Sequence, residues 1–220
     1  MTIRHTEIFL VRHGQTDSNV DRLFDGATDT PLNRRGLRQA ELVAERIGQL
    51  ADLTSLYSSP LQRALFTAQA ISRSIGLQPV LDPGLQEMNF GIAENHTMAT
   101  IIERWPELAA QIQNPDESNV VFPGGESLAV FHQRIRMTLD LIATANQGQR
   151  IVVVAHGGVI RSAVSQLLGR TPDDWRTLTV ENCSITHVEL ASSGSIAHVV
   201  NDVVHLESLT VEQVSETLDQ

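Results

Sequence analysis

The stretch Ile151-Val152-Val153-Val154-Ala155 has no polar position, and it runs directly into His156-Gly157-Gly158. A run this short without alternation cannot show one face to water. It predicts a strand covered on both faces by helices, which is how parallel sheets are built. A second segment repeats the shape: Ile8-Phe9-Leu10-Val11, then Arg12-His13-Gly14. In sheets of this kind ligands bind beyond the carboxyl ends of the strands, where both histidines are expected.

The rest of the chain fits that frame. Asn33 is expected to cap a helix whose apolar positions Leu37, Ala40, Ala44 and Ile47 recur at helical spacing. Leu56–Ser58 reads as a strand, and Ser59-Pro60 as the cap and first residue of a helix carrying Leu61, Leu65, Ala68, Ile71 and Ile75 inward, closed by Gly76. Pro79–Leu81 is a further short strand. Met98–Arg104 and Pro106–Gln113 are helical fragments within a segment of different character, about 91–125, expected as an insertion over one end of the sheet. A long helix is predicted over Ser127–Asn146, with Leu128, Phe131, Ile135, Leu139 and Ile142 on one stripe. His156-Gly157-Gly158 opens another helix, closed by Gly169. Ser184–Leu190 and Ile196–Val200 flank a Ser192–Ser195 hairpin signal, and the tail from about 206 is acidic, with the pattern of a loosely held helix. The expected architecture is a three-layer α/β/α sandwich with a largely parallel sheet, in one domain over 1–220.

Charge removes several function classes. The formal net charge is −10, and all sixteen cations are arginine. An acidic chain without basic runs repels nucleic-acid backbones, so no nucleic-acid partner is expected. No apolar stretch approaches the roughly 20 residues that span a bilayer, and no membrane partner is expected. The single cysteine, Cys183, excludes an internal disulfide and a cysteine-built zinc site, and fits a cytoplasmic location.

Five ordered motifs then carry a resemblance. Arg12-His13-Gly14-Gln15-Thr16-Asp17-Ser18-Asn19, Gly26 through Gly36, Ser58 through Ala68, Leu85-Gln86-Glu87-Met88-Asn89-Phe90-Gly91 with Gly125-Glu126-Ser127, and Val154 through Gly158 resemble the histidine phosphatase superfamily, also called phosphoglycerate-mutase-like. The resemblance implies His13 as a nucleophile that forms a phosphohistidine and His156 as a stabiliser of the transferring phosphoryl group. It implies Arg12 and Arg63 as clamps on the phosphate oxygens, with Asn19, Gly26 and Gly157 also at the phosphate, and Glu87 as general acid and then base. Chemistry agrees with these assignments: guanidinium forks suit phosphate oxygens, a helix N-terminus favours an anion at Arg63, and an alkoxide needs a proton donor to leave. Glu7, Asp17 and Glu94 are nearby acids that compete less well, and Glu126 is a further fallback. Ala93-Glu94-Asn95-His96 departs from the family's usual Trp-Glu-Gly, and His96 and His132 are candidates for the substrate end.

The expected activity is hydrolysis of a small phosphorylated metabolite without metal or cofactor, with a homodimer as the assembly frequent among similar proteins. The alternative is a cofactor-dependent phosphoglycerate mutase, which must hold a second anion. Between Arg73 and Arg134 only Arg104 offers a cation, so the phosphatase is preferred. A metallo-hydrolase built on His13, His156 and Glu87 is disfavoured because two fixed arginines repel a divalent ion. A catalytically inert phospho-ligand binder is disfavoured by the joint presence of His13, Arg63, Glu87 and His156.

Overall fold

The structure is a computed structural model that describes residues 5–114, 119–170, 177–191 and 194–209. The strands are β1 (Thr6–Arg12), β2 (Leu53–Ser58), β3 (Pro79–Leu81), β4 (Arg150–Ala155), β5 (Ile185–Ala191) and β6 (Gly194–Asp202). The helices are α1 (Asp17–Val20), α2 (Arg34–Gly48), α3 (Gln62–Ile75), α4 (Met98–Arg104), α5 (Pro106–Gln113), α6 (Leu128–Ala145) and α7 (Gly157–Leu167). The strands form one six-stranded sheet in the order β3-β2-β4-β1-β5-β6. The first four are mutually parallel, while β5 runs antiparallel to β1 and to β6. This is the mixed, mostly parallel sheet between helical layers that the apolar strands predict.

Register and side-chain alternation explain the layers. Ile8 pairs with Ile151 and Leu10 with Val153, and these pack against Phe131, Ile135 and Leu139 of α6 and Val159, Ile160 and Ala163 of α7. The intervening positions, Phe9 beside Val152 and Val11 beside Val154, meet Ala40, Val43, Ala44 and Ile47 of α2 and Ala64, Ala68 and Ile71 of α3. Each large side chain so buried contributes about 1.5–3 kcal/mol, which is why Ile8–Val11 of β1 and Ile151–Ala155 of β4 hold no polar residue. The alanine-rich faces of α2 and α3 let those two helices lie close together.

The connections place the cleft. After β1 the chain crosses to the α2 side, whereas after the adjacent β4 it enters α7 on the opposite side. Adjacent strand ends whose connections part to opposite faces leave a crevice between them.

Several local expectations differ from the structure. The cap of α3 is Leu61, not Ser59, and the helix starts at Gln62; the Ser59 hydroxyl accepts from the Leu61 amide and also pairs with His156 Nε2. Leu37 points into solvent at 53% exposed, so the buried stripe of α2 is carried by Ala40, Val43, Ala44 and Ile47. The loop after β1 contains α1, closed by a capping box in which Thr16 and Asn19 satisfy each other's backbone. Gly194 and Ser195 belong to β6; Ser192 and Ser193, and the acidic tail beyond Leu209, lie outside the described residues. Among the described residues no helix is long and apolar enough to cross a membrane.

Candidate active site

Arg12 closes β1 opposite Ala155, the last residue of β4, so the next residue in each strand is a histidine. The His13 amide donates to the Ala155 carbonyl at 3.0 Å, and the two imidazole centroids lie 5.1 Å apart. Close packing behind the turn needs glycine twice: a Cβ on Gly14 would stand 2.4 Å from the Gly36 carbonyl oxygen, and one on Gly36 would stand 2.0 Å from that of Gln15. The Gly14 amide in turn donates to Thr67 Oγ1, which ties the turn to α3.

The tautomer of His13 follows from its partner. Its Nδ1 lies 2.7 Å from the Gly14 carbonyl oxygen, which can only accept, so Nδ1 carries the proton and Nε2 keeps the lone pair. Burial, followed by Arg63 and then Arg12, holds the His13 pKa well below the usual imidazole value, and the Gly14 bond only partly opposes this. The ring is therefore neutral and nucleophilic at neutral pH.

His156 is also neutral, held low by burial and then by Arg63, His13 and Arg12. Its Nδ1 accepts from Arg63 Nε at 3.2 Å and its Nε2–H donates to Ser59 Oγ at 2.8 Å. It is fully buried behind the cavity wall rather than on it, and both ring nitrogens engage protein groups. Arg63, 1% exposed, spends its other nitrogens on the carbonyls of Thr28 and Gly26 at 2.7 and 2.6 Å. Gly26 presents that carbonyl from a left-handed backbone (φ 53°) in a loop that Glu94 stitches down by accepting from the amides of Ala27 and Phe90.

Arg12 supplies the unsatisfied charge. Its Nη1 donates to the Val180 carbonyl, while Nε is buried with no hydrogen-bond partner. Burial and the neighbouring Arg161 lower its pKa to about 10. A buried, unpaired guanidinium N–H among further arginines is a receptor for an anion.

Glu87 sits across the cavity, with Oε2 accepting from the Gly158 amide at the start of α7 and Oε1 from the Met88 amide. Its backbone is fixed by Arg134, which donates to the carbonyls of Gly84 and Gln86 and forms a bidentate pair with Glu126. The competing acids are thereby accounted for. Glu126 belongs to Arg134, Glu94 to the Gly26 loop, and Asp17 accepts from Asn33 on the outer surface. Glu7 is bound to Arg150 and His187 beside a recess of about 590 Å³ on the side of the sheet away from the histidines.

The cavity at the strand ends measures about 480 Å³ and its wall includes Arg12, His13, Asn19, Gly26, Arg63, Glu87 and Gly157, so the sequence-derived set converges there except for the recessed His156. The Asn19 Oδ1 is taken by the Thr16 amide and by Asn182 Nδ2. Arg22, Asp25, Arg161 and Asn182 are the polar wall residues that escaped the sequence reading, and Asp25 accepts from the Thr30 hydroxyl. Asn182 also donates to the His13 carbonyl, Arg22 extends from the end of the α1 turn, and Arg161 reaches in from α7, one turn beyond Gly157. The i to i+4 spacing from Gly157 to Arg161 was the available signal. Arg161 and Arg22 bring cations to the substrate end from outside the interval from Arg73 to Arg134, which puts none of its own on this wall among the described residues. His96 and His132 do not line this wall: His96 binds the Glu94 carbonyl and His132 pairs with Ser162.

A family model of the histidine phosphatase superfamily, branch 1, matches residues 8–203. The chain belongs to this superfamily. Among curated relatives, the probable phosphoglycerate mutase GpmB of Yersinia enterocolitica is 33% identical over 213 residues, covering 94% of this chain and 98% of that one. Among solved structures, a histidine-to-alanine mutant of phosphoserine phosphatase from Entamoeba histolytica, in complex with phosphoserine, superposes with a TM-score of 0.81 at 29% identity, covering 91% and 99% of the two chains. The alpha-ribazole phosphatase of Shigella flexneri gives 0.81 at 26% identity, covering 89% and 96%. This histidine phosphatase is thus an enzyme of the phosphoric monoester hydrolase type, with mutase-named relatives and phosphatase neighbours.

Proposed function

We propose that the enzyme hydrolyses a small phosphorylated metabolite through a phosphohistidine on His13, without a metal ion. The observation that carries this reading is the state of His13: neutral by burial, its Nδ1–H locked on Gly14, and its Nε2 lone pair facing a cavity ringed by Arg12, Arg63 and Arg161. Arginines supply the positive charge here, and among the described residues no three His, Cys, Asp or Glu side chains converge as a metal would need.

The reaction divides into two steps. In the first, the Nε2 lone pair attacks phosphorus, a P–N bond forms, the ester P–O bond breaks, and the Glu87 carboxyl gives its proton to the departing oxygen. In the second, water attacks phosphorus, the Glu87 carboxylate takes a proton from it, the P–N bond breaks, and phosphate leaves. Arg12 and Arg63 balance the charge on the equatorial oxygens in both steps. His156 and Ser59 hold Arg63 in its forked position.

Brief reaction with substrate and an alkaline quench should trap an acid-labile phosphoryl group on His13, and His13→Ala should abolish both trapping and turnover. Activity should persist in chelator and fall with vanadate. Label on another residue, or activity that vanishes in chelator and returns with a divalent ion, overturns the reading.

A mutase reading gains support from Arg161 and Arg22 as holders of a second anion, and from the name of the curated relative. Leu23, Phe24 and Phe90 on the same wall offer no partner to a second anion, and this favours hydrolysis. With 3-phosphoglycerate and a bisphosphate primer, release of phosphate should exceed isomerisation; the reverse result establishes the mutase.

A further inference from the structure

A second cavity of about 290 Å³ adjoins the first and shares Phe24, Glu87, Phe90, Gly158 and Arg161 with it. Its own walls are the buried Met88, Val120, Phe122, Leu128 and Phe131, with the partly buried Ile112. Three rings form its frame: Phe24 stands edge-on to Phe90 at 5.1 Å, and Phe90 edge-on to Phe122 at 5.0 Å. The backbone that carries them is tied down, since the Phe24 amide donates to the His96 carbonyl, the Phe90 amide to the Glu94 carboxylate and the Phe122 amide to the Glu126 carbonyl. Among the described residues, segment 91–125 gives Ile112, Val120 and Phe122 to this apolar chamber and none to the wall around the phosphate site.

Glu87 faces both chambers, and its proton goes to the oxygen that leaves. The bond that breaks must therefore lie at the junction, with the phosphoryl group on the arginine side and the leaving group beyond Glu87. We propose that this apolar chamber receives the leaving group, and that the substrates are phosphate monoesters of alcohols with a hydrocarbon body. The inference rests on the phosphatase reading and specifies its substrate class. Arg161 lines both chambers and stands at the neck between them, with its Nε donating to the Leu178 carbonyl.

The test is kcat/KM for ethyl, butyl and hexyl phosphate, below the concentration at which the hexyl ester aggregates. Their leaving alcohols are nearly equal in acidity, so intrinsic reactivity is constant along the series. Burial of one methylene is worth about 0.8 kcal/mol, or close to fourfold, so specificity should climb by up to about fourfold per added carbon until the chamber fills. In Phe122→Ser, and independently in Phe24→Ser, the hexyl-to-ethyl ratio should fall at least tenfold. That ratio is read within one preparation, so a reduced folded fraction cancels from it. Equal turnover of ethyl and hexyl esters, or a climb unchanged in a variant that retains activity, overturns the chamber's assignment while leaving the phosphatase reading intact. Absence of turnover with every ester overturns both.

Discussion

Gly158→Ala tests the acid without altering it. A Cβ at position 158 would lie 2.5 Å from Glu87 Oε1, 3.1 Å from its carboxyl carbon and 3.2 Å from Oε2. Ordinary contact begins near 3.4 Å, so the carboxyl group must retreat by roughly 1 Å, a misplacement that can cost a reaction about 10²-fold. Loss of its bond to the Gly158 amide removes about 1.5–3 kcal/mol of local stabilisation, while alanine in place of glycine in a helix returns up to about 1 kcal/mol. The fold should therefore survive with a small fall in melting temperature. An alkoxide departs only with a proton, whereas nitrophenolate departs without one. In single turnover, phosphorylation by an alkyl phosphate should slow by about 10²–10⁴, the range for positioned general acid catalysis, and by nitrophenyl phosphate far less. Equal losses with both substrates would show that Glu87 orients the substrate instead of protonating it; no loss with either would refute the placement of the acid.

Arg63→Lys should lower both stability and kcat, because a lysine cannot bridge the Gly26 and Thr28 carbonyls and His156 together. Two charge-assisted bonds lost amount to about 3 kcal/mol or more; an unchanged melting temperature would contradict the forked geometry. His13 and His156 have folded pKa values below the unfolded value near 6.5, so only the unfolded chain takes up these protons as pH falls through that value. Their contribution is complete above about pH 6.5 and drains away below it, at up to about 2.7 kcal/mol per pH unit for the pair. Their ring resonances should stay in the neutral position through that window, and titration near 6.5 would contradict the burial argument.

The parts that can be read from sequence are those whose environment is set by the chain's own periodicity. β1 and β4 declare themselves because burial on both faces leaves no polar position over Ile8–Val11 and Ile151–Ala155, and Arg12, His13 and His156 follow because they terminate those runs. Asn33 caps α2 as its side-chain chemistry requires. Where two local roles compete, sequence alone does not choose. Ser59 before Pro60 has the form of a helix cap, yet its hydroxyl pairs with an imidazole 97 positions away. Arg161 and Asn182 illustrate the remainder: one is a helix residue and the other lies in a loop, and only the crossing of β4–α7 with the β1 turn brings them to one wall. Which walls are apolar is equally non-local, because Phe24, Phe90 and Phe122 come from separate loops.

The pairing of Arg12 with Ala155 has a consequence for how such a chain changes over time. The ladder that aligns the hydrophobic positions of β1 and β4 is the same ladder that sets the separation of the two imidazoles. Removing or adding one residue within β1 would exchange its two faces, driving Phe9 and Val11 toward the wrong layer, and would carry His13 out of step with His156 in the same event. A frame change there cannot spoil the chemistry while sparing the fold. Variation compatible with a folded protein is thereby steered away from the strands and toward the loops that bear Phe24, Phe90 and Phe122, so that the catalytic pair is inherited with the core while the company it keeps is free to diversify.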